Sequence, residues 1–494
     1  MRVVVIGSGI VGASTAYHLS RRGADVIVVD AALEGQATAA GAGIVCPWVD
    51  HPEDDAWYAL ARLGARHYPE LVEALGEDIG YERVGALLVA EDPAELGPVR
   101  ALLERRHAEA PEMGEVTVVP DPSQLFPPLA EGLSAIHVPG AARVDGRAVR
   151  DALLRAAVRQ GAELRAGTAA LTAGGEVLLR PVDADAYPAD DLGGDRGAPP
   201  SAGPAPGHGG SGLGAHGRAD VGGDGSWRQA APLPAAHPGS RADAWDSDTC
   251  KSQDGGPGSR FAEGESSAGT AQGEPGPGTA KGSSSAGTAE DGPGSGTAKG
   301  GSPAVGHGRV AGRARAGDAV GERVAADVVV VAAGAWSGAV CRPLGVEVPV
   351  FPRRGQIVHA TLDGVDTAGW PIVLPHVGPY LLGFPGSRVV MGATVEDVGF
   401  VPRVTMGGLD EVLRAGLRLA PGLAGAAVTE TRVGLRPVRA GGPPLVCRVG
   451  ERVVVATGLS AYGLTAGPFA GLLAARLALG EPPPLDLSPY RLPS

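Results

Sequence analysis

Hydrophobic positions change their spacing several times along this chain, and each change marks an element. Val3 to Ile6 is an unbroken β-branched run, as expected of a strand buried on both faces of a parallel sheet. Glycines follow at Gly7, Gly9 and Gly12. A helical stretch then runs from Ile10 to Arg22, Gly23 closes it, and Ala24 to Asp30 returns to a buried strand. Between Gly140 and Leu164 the apolar residues recur at i, i+3 and i+4, predicting a helix before another short strand. "ADVVVVAAGAWSG" (Ala326 to Gly338) is a buried strand running into small residues. "RRGQIVHATL" (Arg353 to Leu362), "PIVLPHVGPYLLGF" (Pro371 to Phe384) and "SRVVMGAT" (Ser387 to Thr394) read as strands of a further sheet. Arg452 to Gly480 reads as a strand, a glycine-rich loop and a helix, with Pro468 in its first turn and Gly480 at its C-terminal cap.

From about Asp190 to Asp318 no period survives. Gly, Ser, Pro, Ala and Asp dominate, and apolar side chains are too few to offset the entropy of ordering the segment, so a disordered insert is expected. An 18-residue unit from Ser266, "SSAGTAQGEPGPGTAKGS", is repeated from Ser284, but neither copy has an apolar face to stack. Without this insert the chain of 494 residues is of a size for two intertwined domains.

Composition narrows the chemistry. A net charge of −13 and the lack of a basic stripe argue against a nucleic-acid partner. Lys251, Lys281 and Lys299 all lie in the insert, so the folded body has no lysine to form a Schiff base or act as a general base. Cys46, Cys250, Cys341 and Cys447 are scattered without metal-ligand spacing and read as structural thiols; no metal site is expected. The first strand starts at Arg2, leaving no room for a signal peptide, and no apolar run is long enough for a membrane span; a cytoplasmic location is expected.

The opening glycines carry the first specific chemistry. In a GxGxxG turn the first glycine allows the bend, the second lets a pyrophosphate approach the backbone, and the third lets the helix pack on the strand. Asp30 stands where an acid accepts hydrogen bonds from an adenosine ribose. This unit predicts a dinucleotide but leaves NAD and FAD open, since both share an ADP half. "EGQATAAGAGIV" (Glu34 to Val45) has neither period; its small side chains would let the chain pass close to a bulky ligand, with the Thr38 hydroxyl beside it.

Five ordered motifs together resemble the D-amino-acid oxidase superfamily of FAD-dependent oxidoreductases, most nearly glycine oxidases, sarcosine oxidases and D-amino-acid dehydrogenases. They are the GxGxxG, the Thr38–Gly43 loop, the "DG" at Asp145, "AAGAW" at Ala332 to Trp336, and the C-terminal glycine loop. The resemblance covers residues 1 to about 180 and about 323 to 490. It implies an α/β fold: a discontinuous Rossmann-like FAD-binding domain (1–81, 140–180, 323–340 and 430–494) with an inserted α+β substrate domain on a largely antiparallel sheet (82–139 and 341–429). The insert, 190–318, replaces a short hairpin of the FAD domain.

For the cofactor FAD the resemblance implies contacts from Gly7, Gly9, Ile10, Val11 and Gly12, from Asp30 and Ala31, and from Ala37, Thr38, Ala42, Gly43 and Ile44. Ala170, Gly334 and the loop Leu459, Ser460, Ala461, Tyr462, Gly463, Leu464 and Thr465 complete the set. The implied reaction moves a hydride from a carbon next to nitrogen to flavin N5, from a D-amino acid, N-methyl amino acid or related amine, with oxygen, a quinone or another acceptor reoxidising the flavin. Arg436 in "GLRP" and Tyr380 in "PYLLGF" match the family positions that hold the substrate carboxylate. Glycine oxidases carry a histidine and a second arginine where this chain has Leu459 and Ala461, so glycine itself fits poorly and a bulkier, more apolar substrate fits better. A flavoprotein without turnover and a nicotinamide-dependent dehydrogenase are the alternatives; the C-terminal glycine loop argues against the latter.

Overall fold

The computed structural model describes residues 1–181 and 321–493, which fall within one compact unit. The expected disorder over 190–318, the duplicated unit and Cys250 lie outside the described residues.

A six-stranded sheet holds the first motif. Its strands run in the order Leu445–Val449, Val453–Thr457, Val328–Val331, Arg2–Ile6, Asp25–Asp30 and Glu163–Ala166, parallel except for the first. The Val328–Val331 strand is buried throughout, and only Arg2 of the N-terminal strand is exposed, which is why both read as continuous apolar runs. The helix Ile10–Ser20 is buried along its whole length between this sheet and the helices Gly146–Arg159 and Gly463–Leu479. It ends two residues before the expected Arg22, and Gly23, at φ 75°, turns the chain back into the sheet.

A second sheet of eight strands is antiparallel apart from one pair. Its order is Ala427–Arg439, Val350–Thr361, Arg388–Gly392, Tyr380–Phe384, Ile372–Pro375, Ala86–Ala90, Ser134–Val138 and Thr117–Val119. The apolar stretch Pro371 to Phe384 is thus two strands, split at Gly378 with φ 116°. Ala427–Arg439 crosses the boundary expected at residue 430 and pairs with Val350–Thr361 from end to end, so Arg436 lies inside a strand of this sheet.

Two further findings bear on the site. Val177–Arg180 pairs antiparallel with Glu322–Val324, so residues 182–320 join adjacent strand ends, at the hairpin position the sequence indicated. The C-terminal helix starts at Gly463, not near Pro468, which stands inside it. Pro468 cannot donate to the Leu464 carbonyl four residues back. The Tyr68 hydroxyl donates to that carbonyl instead, at 2.5 Å. Gly480, at φ 73°, closes the helix as expected, the Glu481 amide reaching back to the Arg476 carbonyl.

Candidate active site

Both sheets contribute to one cavity of about 1000 Å³, at the upper end of the range for small-molecule sites. The helices Ile10–Ser20 and Gly463–Leu479 start at its wall and pack closely against each other. A Cβ on Gly467 would lie 2.7 Å from Ile10, and one on Gly471 2.5 Å from Ser14. Their N-termini bring positive dipole ends to the same space, the arrangement suited to phosphates and other anions.

The first-turn glycines separate by role. A Cβ on Gly12 would fall 1.8 Å from the Gly7 carbonyl oxygen, so helix and strand can meet only with hydrogen there. Gly9 has nothing near its missing side chain except the Thr38 hydroxyl at 3.4 Å, and that hydroxyl accepts from the Ile10 amide at 3.0 Å. The space beyond Gly9 is cavity, open for backbone to approach a ligand. Asp30 ends its strand on the cavity wall, its carboxylate accepting from the Ser8 and Ala32 amides, each at 2.6 Å. The "DG" motif has a local cause: Asp145 caps the next helix by accepting from the Arg147 and Ala148 amides, and Gly146 lets that helix approach the Thr38 carbonyl.

Of the residues expected to meet the cofactor, Gly7, Gly9, Ile10, Val11, Asp30, Ala31, Ala37, Thr38, Ala42, Gly43, Ile44, Gly334 and the whole run Leu459 to Thr465 line the cavity. Gly12 and Ala170 do not. Gly12 serves packing, and on the strand Thr168–Leu171 the alternation brings Ala169 to the wall beside Gly167. The open cradle at Gly9, the acid at the second strand end, the two helix N-termini and the cavity volume fit a dinucleotide with a bulky second half, as FAD is.

Arg436 and Tyr380 reach the same cavity from the eight-stranded sheet. The Arg436 guanidinium lies flat over Gly355, where any Cβ would sit 2.4 Å from its nitrogens. Its Nη1 donates to the Arg354 and Thr394 carbonyls at 3.2 and 2.9 Å, and the Tyr380 hydroxyl stands close enough to act on its charge. Burial lowers the Arg436 pKa, with Tyr380 opposing, and burial raises that of Tyr380; a guanidinium stays protonated even so, and it stands beside a neutral phenol.

Several cavity residues carry no sequence motif. Arg353 lines the wall directly across the strand pair from Arg436. Asp50 and His51 enter through a loop clamped by Arg106, which donates to the Trp48, Asp50 and His51 carbonyls and covers the Tyr58 ring at 3.7 Å. The Tyr462 hydroxyl donates to Asp50 Oδ2. His51 stacks on Trp57 with centroids 4.6 Å apart, and burial holds it neutral, with a pKa lowered to about 4. Among the described residues no group of side chains could hold a metal ion, and no helix is long and apolar enough to cross a membrane.

Comparisons with known proteins agree with this geometry. Residues 2–186 and 295–477 match the family described as DAO, FAD dependent oxidoreductase. An uncharacterized oxidoreductase of Bacillus subtilis (strain 168), YurR, is 33% identical over 99% of this chain and 97% of its own length. The crystal structure of iminodiacetate oxidase from Chelativorans sp. BNC1 is 34% identical, with a TM-score of 0.70 over 99% of this chain and 98% of that one. Glycine oxidase of Pseudomonas putida is 33% identical, but over only 34% of this chain and 46% of its own length. With the family's order of motifs and its dinucleotide cavity both present, this chain belongs to the DAO family and is an FAD-dependent oxidoreductase.

Proposed function

We propose that the chain oxidises the C–N bond of an amino acid, an N-alkyl amino acid or a related amine that carries a carboxylate. In this reading the six-stranded sheet and its helices hold FAD, and the eight-stranded sheet covers the substrate. The observation that carries it is Arg436, a half-buried cation facing the cavity, close to Tyr380 and backed by Gly355. The names of the iminodiacetate oxidase, the glycine oxidases and the D-amino acid dehydrogenases among the relatives support the same chemistry.

FAD, when bound, supplies the two-electron acceptor for a hydride leaving the carbon next to nitrogen. The protein's own part is placement. Arg436 and Tyr380 would grip the carboxylate through charge-assisted hydrogen bonds and so fix the carbon beside it. Ile357 and Leu374 on the cavity wall would keep water from the reacting bond. Amides at the start of Gly463–Leu479 would stabilise negative charge on the bound cofactor.

The test is anaerobic bleaching of the flavin absorbance against a panel of D-amino acids, N-alkyl amino acids and amines without a carboxylate, followed by reoxidation with air or a quinone. Bleaching confined to carboxylated amines is expected. In Arg436→Ala, losing the charge-assisted contacts costs about 2–5 kcal/mol, or roughly 30- to 5000-fold in kcat/KM, with FAD content retained. Arg436→Lys should recover only part of that, because an ammonium lacks the two-pronged fork. Equal reduction by amines without a carboxylate would overturn the reading.

A further inference from the structure

We propose that Arg353 is a second carboxylate anchor in this cavity and selects amines that carry a carboxylate on each of two arms, the chemical class of N-(carboxyalkyl) amino acids. The inference rests on the reading that Arg436 holds the first carboxylate.

Strand register places the two arginines together. Arg353 and Arg436 are directly opposite in the antiparallel pair of Val350–Thr361 with Ala427–Arg439, and both line the cavity. Like charges facing each other across two strands are destabilising unless an anion joins them, and Arg353 is among the groups that lower the Arg436 pKa. Among the described residues lining the cavity these are the only arginines, and none is a lysine. Leu459 and Ala461, facing the same space, add no charge.

The two guanidinium groups are held at separate points, which favours two carboxylates over one shared between them. Arg436 is drawn inward over Gly355. Arg353 is drawn outward, with Nε and Nη2 donating to Asp397 at 2.8 and 3.1 Å; Asp397 also lines the cavity, and with side chains 34% and 65% exposed the pair stands at the cavity's solvent side. That contact occupies one edge of the fork. Nη1 has no acceptor among the described residues, so the Nη1/Nη2 edge remains for a carboxylate. Asp397 is thus a positioning residue, setting the angle of the guanidinium without burying its charge.

The inference is tested by binding alone, with two ethers that lack the oxidisable amine: oxydiacetate, with two carboxylates, and methoxyacetate, with one. Each is titrated into flavin-replete protein and followed by the change in flavin absorbance. Oxydiacetate should bind at least about tenfold more tightly. Arg353→Met should bring the two Kd values within about twofold of each other, with FAD content as in the parent. Asp397→Asn, which keeps the guanidinium but loosens its tether, should fall between. Equal binding of the two ethers by the parent protein would overturn the proposal, as would an Arg353→Met variant that weakens both alike, the mark of a single shared carboxylate. If methoxyacetate binding is lost in Arg436→Met while oxydiacetate has no advantage in the parent, the Arg353 role alone fails. If neither ether binds and no carboxylated amine bleaches the flavin, the reading of Arg436 fails and takes this one with it.

Discussion

Gly9 and Gly12 stand in one turn and are glycine for different reasons, so their variants should fail in different ways. At Gly12 a methyl group would collide with the Gly7 carbonyl, and helix and strand would have to separate. At Gly9 it would meet only the Thr38 hydroxyl at van der Waals distance and would project into the cavity. Gly9→Ala should therefore give a folded apoprotein with a normal melting midpoint and flavin affinity down by roughly an order of magnitude or more. Gly12→Ala should lose the fold along with the flavin. Melting curves on apoprotein and the flavin content of the purified variants check both, and a Gly9→Ala protein retaining full flavin would show that the pyrophosphate lies elsewhere. The turn was legible because each glycine's backbone duty is set within a few residues of chain, and the place of Arg436 on the cavity wall was legible because "GLRP" is a compact signature. Arg353 was not. Its place on the cavity follows from cross-strand register with Arg436, which no local spacing encodes. Asp50 and His51 depend likewise on a clamp from the distant Arg106.

Among the elements, the helix Gly463–Leu479 shows where local rules mislead. A proline usually marks a helix start, which is the expectation its position raised. The helix instead begins earlier because Tyr68, on Asp55–Leu75, satisfies the carbonyl that Pro468 leaves open. Gly64 of the same helix allows the contact, since a Cβ there would sit 2.4 Å from the Thr465 carbonyl oxygen. Removing the hydroxyl in Tyr68→Phe leaves a buried carbonyl without a donor, at a cost of about 1–3 kcal/mol. Because Leu464 and Thr465 line the cavity, flavin affinity should fall together with the melting midpoint. Adding Pro468→Ala returns an amide that can reach the Leu464 carbonyl, so the double variant should be more stable than Tyr68→Phe alone. Thermal melts of the four proteins in that cycle measure the coupling, and strict additivity would show that Tyr68 does not substitute for the missing amide. Strand identity was easier to read than this helix start, because alternation and continuous apolar runs depend only on which faces are buried.

For the whole molecule, the chain returns repeatedly to the two sheets, and the long segment 182–320 leaves and rejoins at a single point. Val177 pairs with Val324 and Leu179 with Glu322, so its two ends are neighbours on a three-stranded sheet with Thr168–Leu171. That geometry is closed by a short turn as readily as by a long excursion, and shortening a loop lowers the entropy cost of closing it. Replacing 182–320 with a few Gly and Ser residues should therefore leave the melting midpoint unchanged or raised. Flavin content provides a sensitive second reading. Ala169 and Gly167 line the cavity, and Ala169 lies on the strand that pairs with the hairpin's first arm, so fraying at the splice would reach the cofactor wall directly. A shortened protein with full flavin and an undiminished midpoint would place everything FAD retention needs in the described sheets and helices. A fall in flavin content with the midpoint preserved would instead mean that the excised segment itself contributes to holding the cofactor.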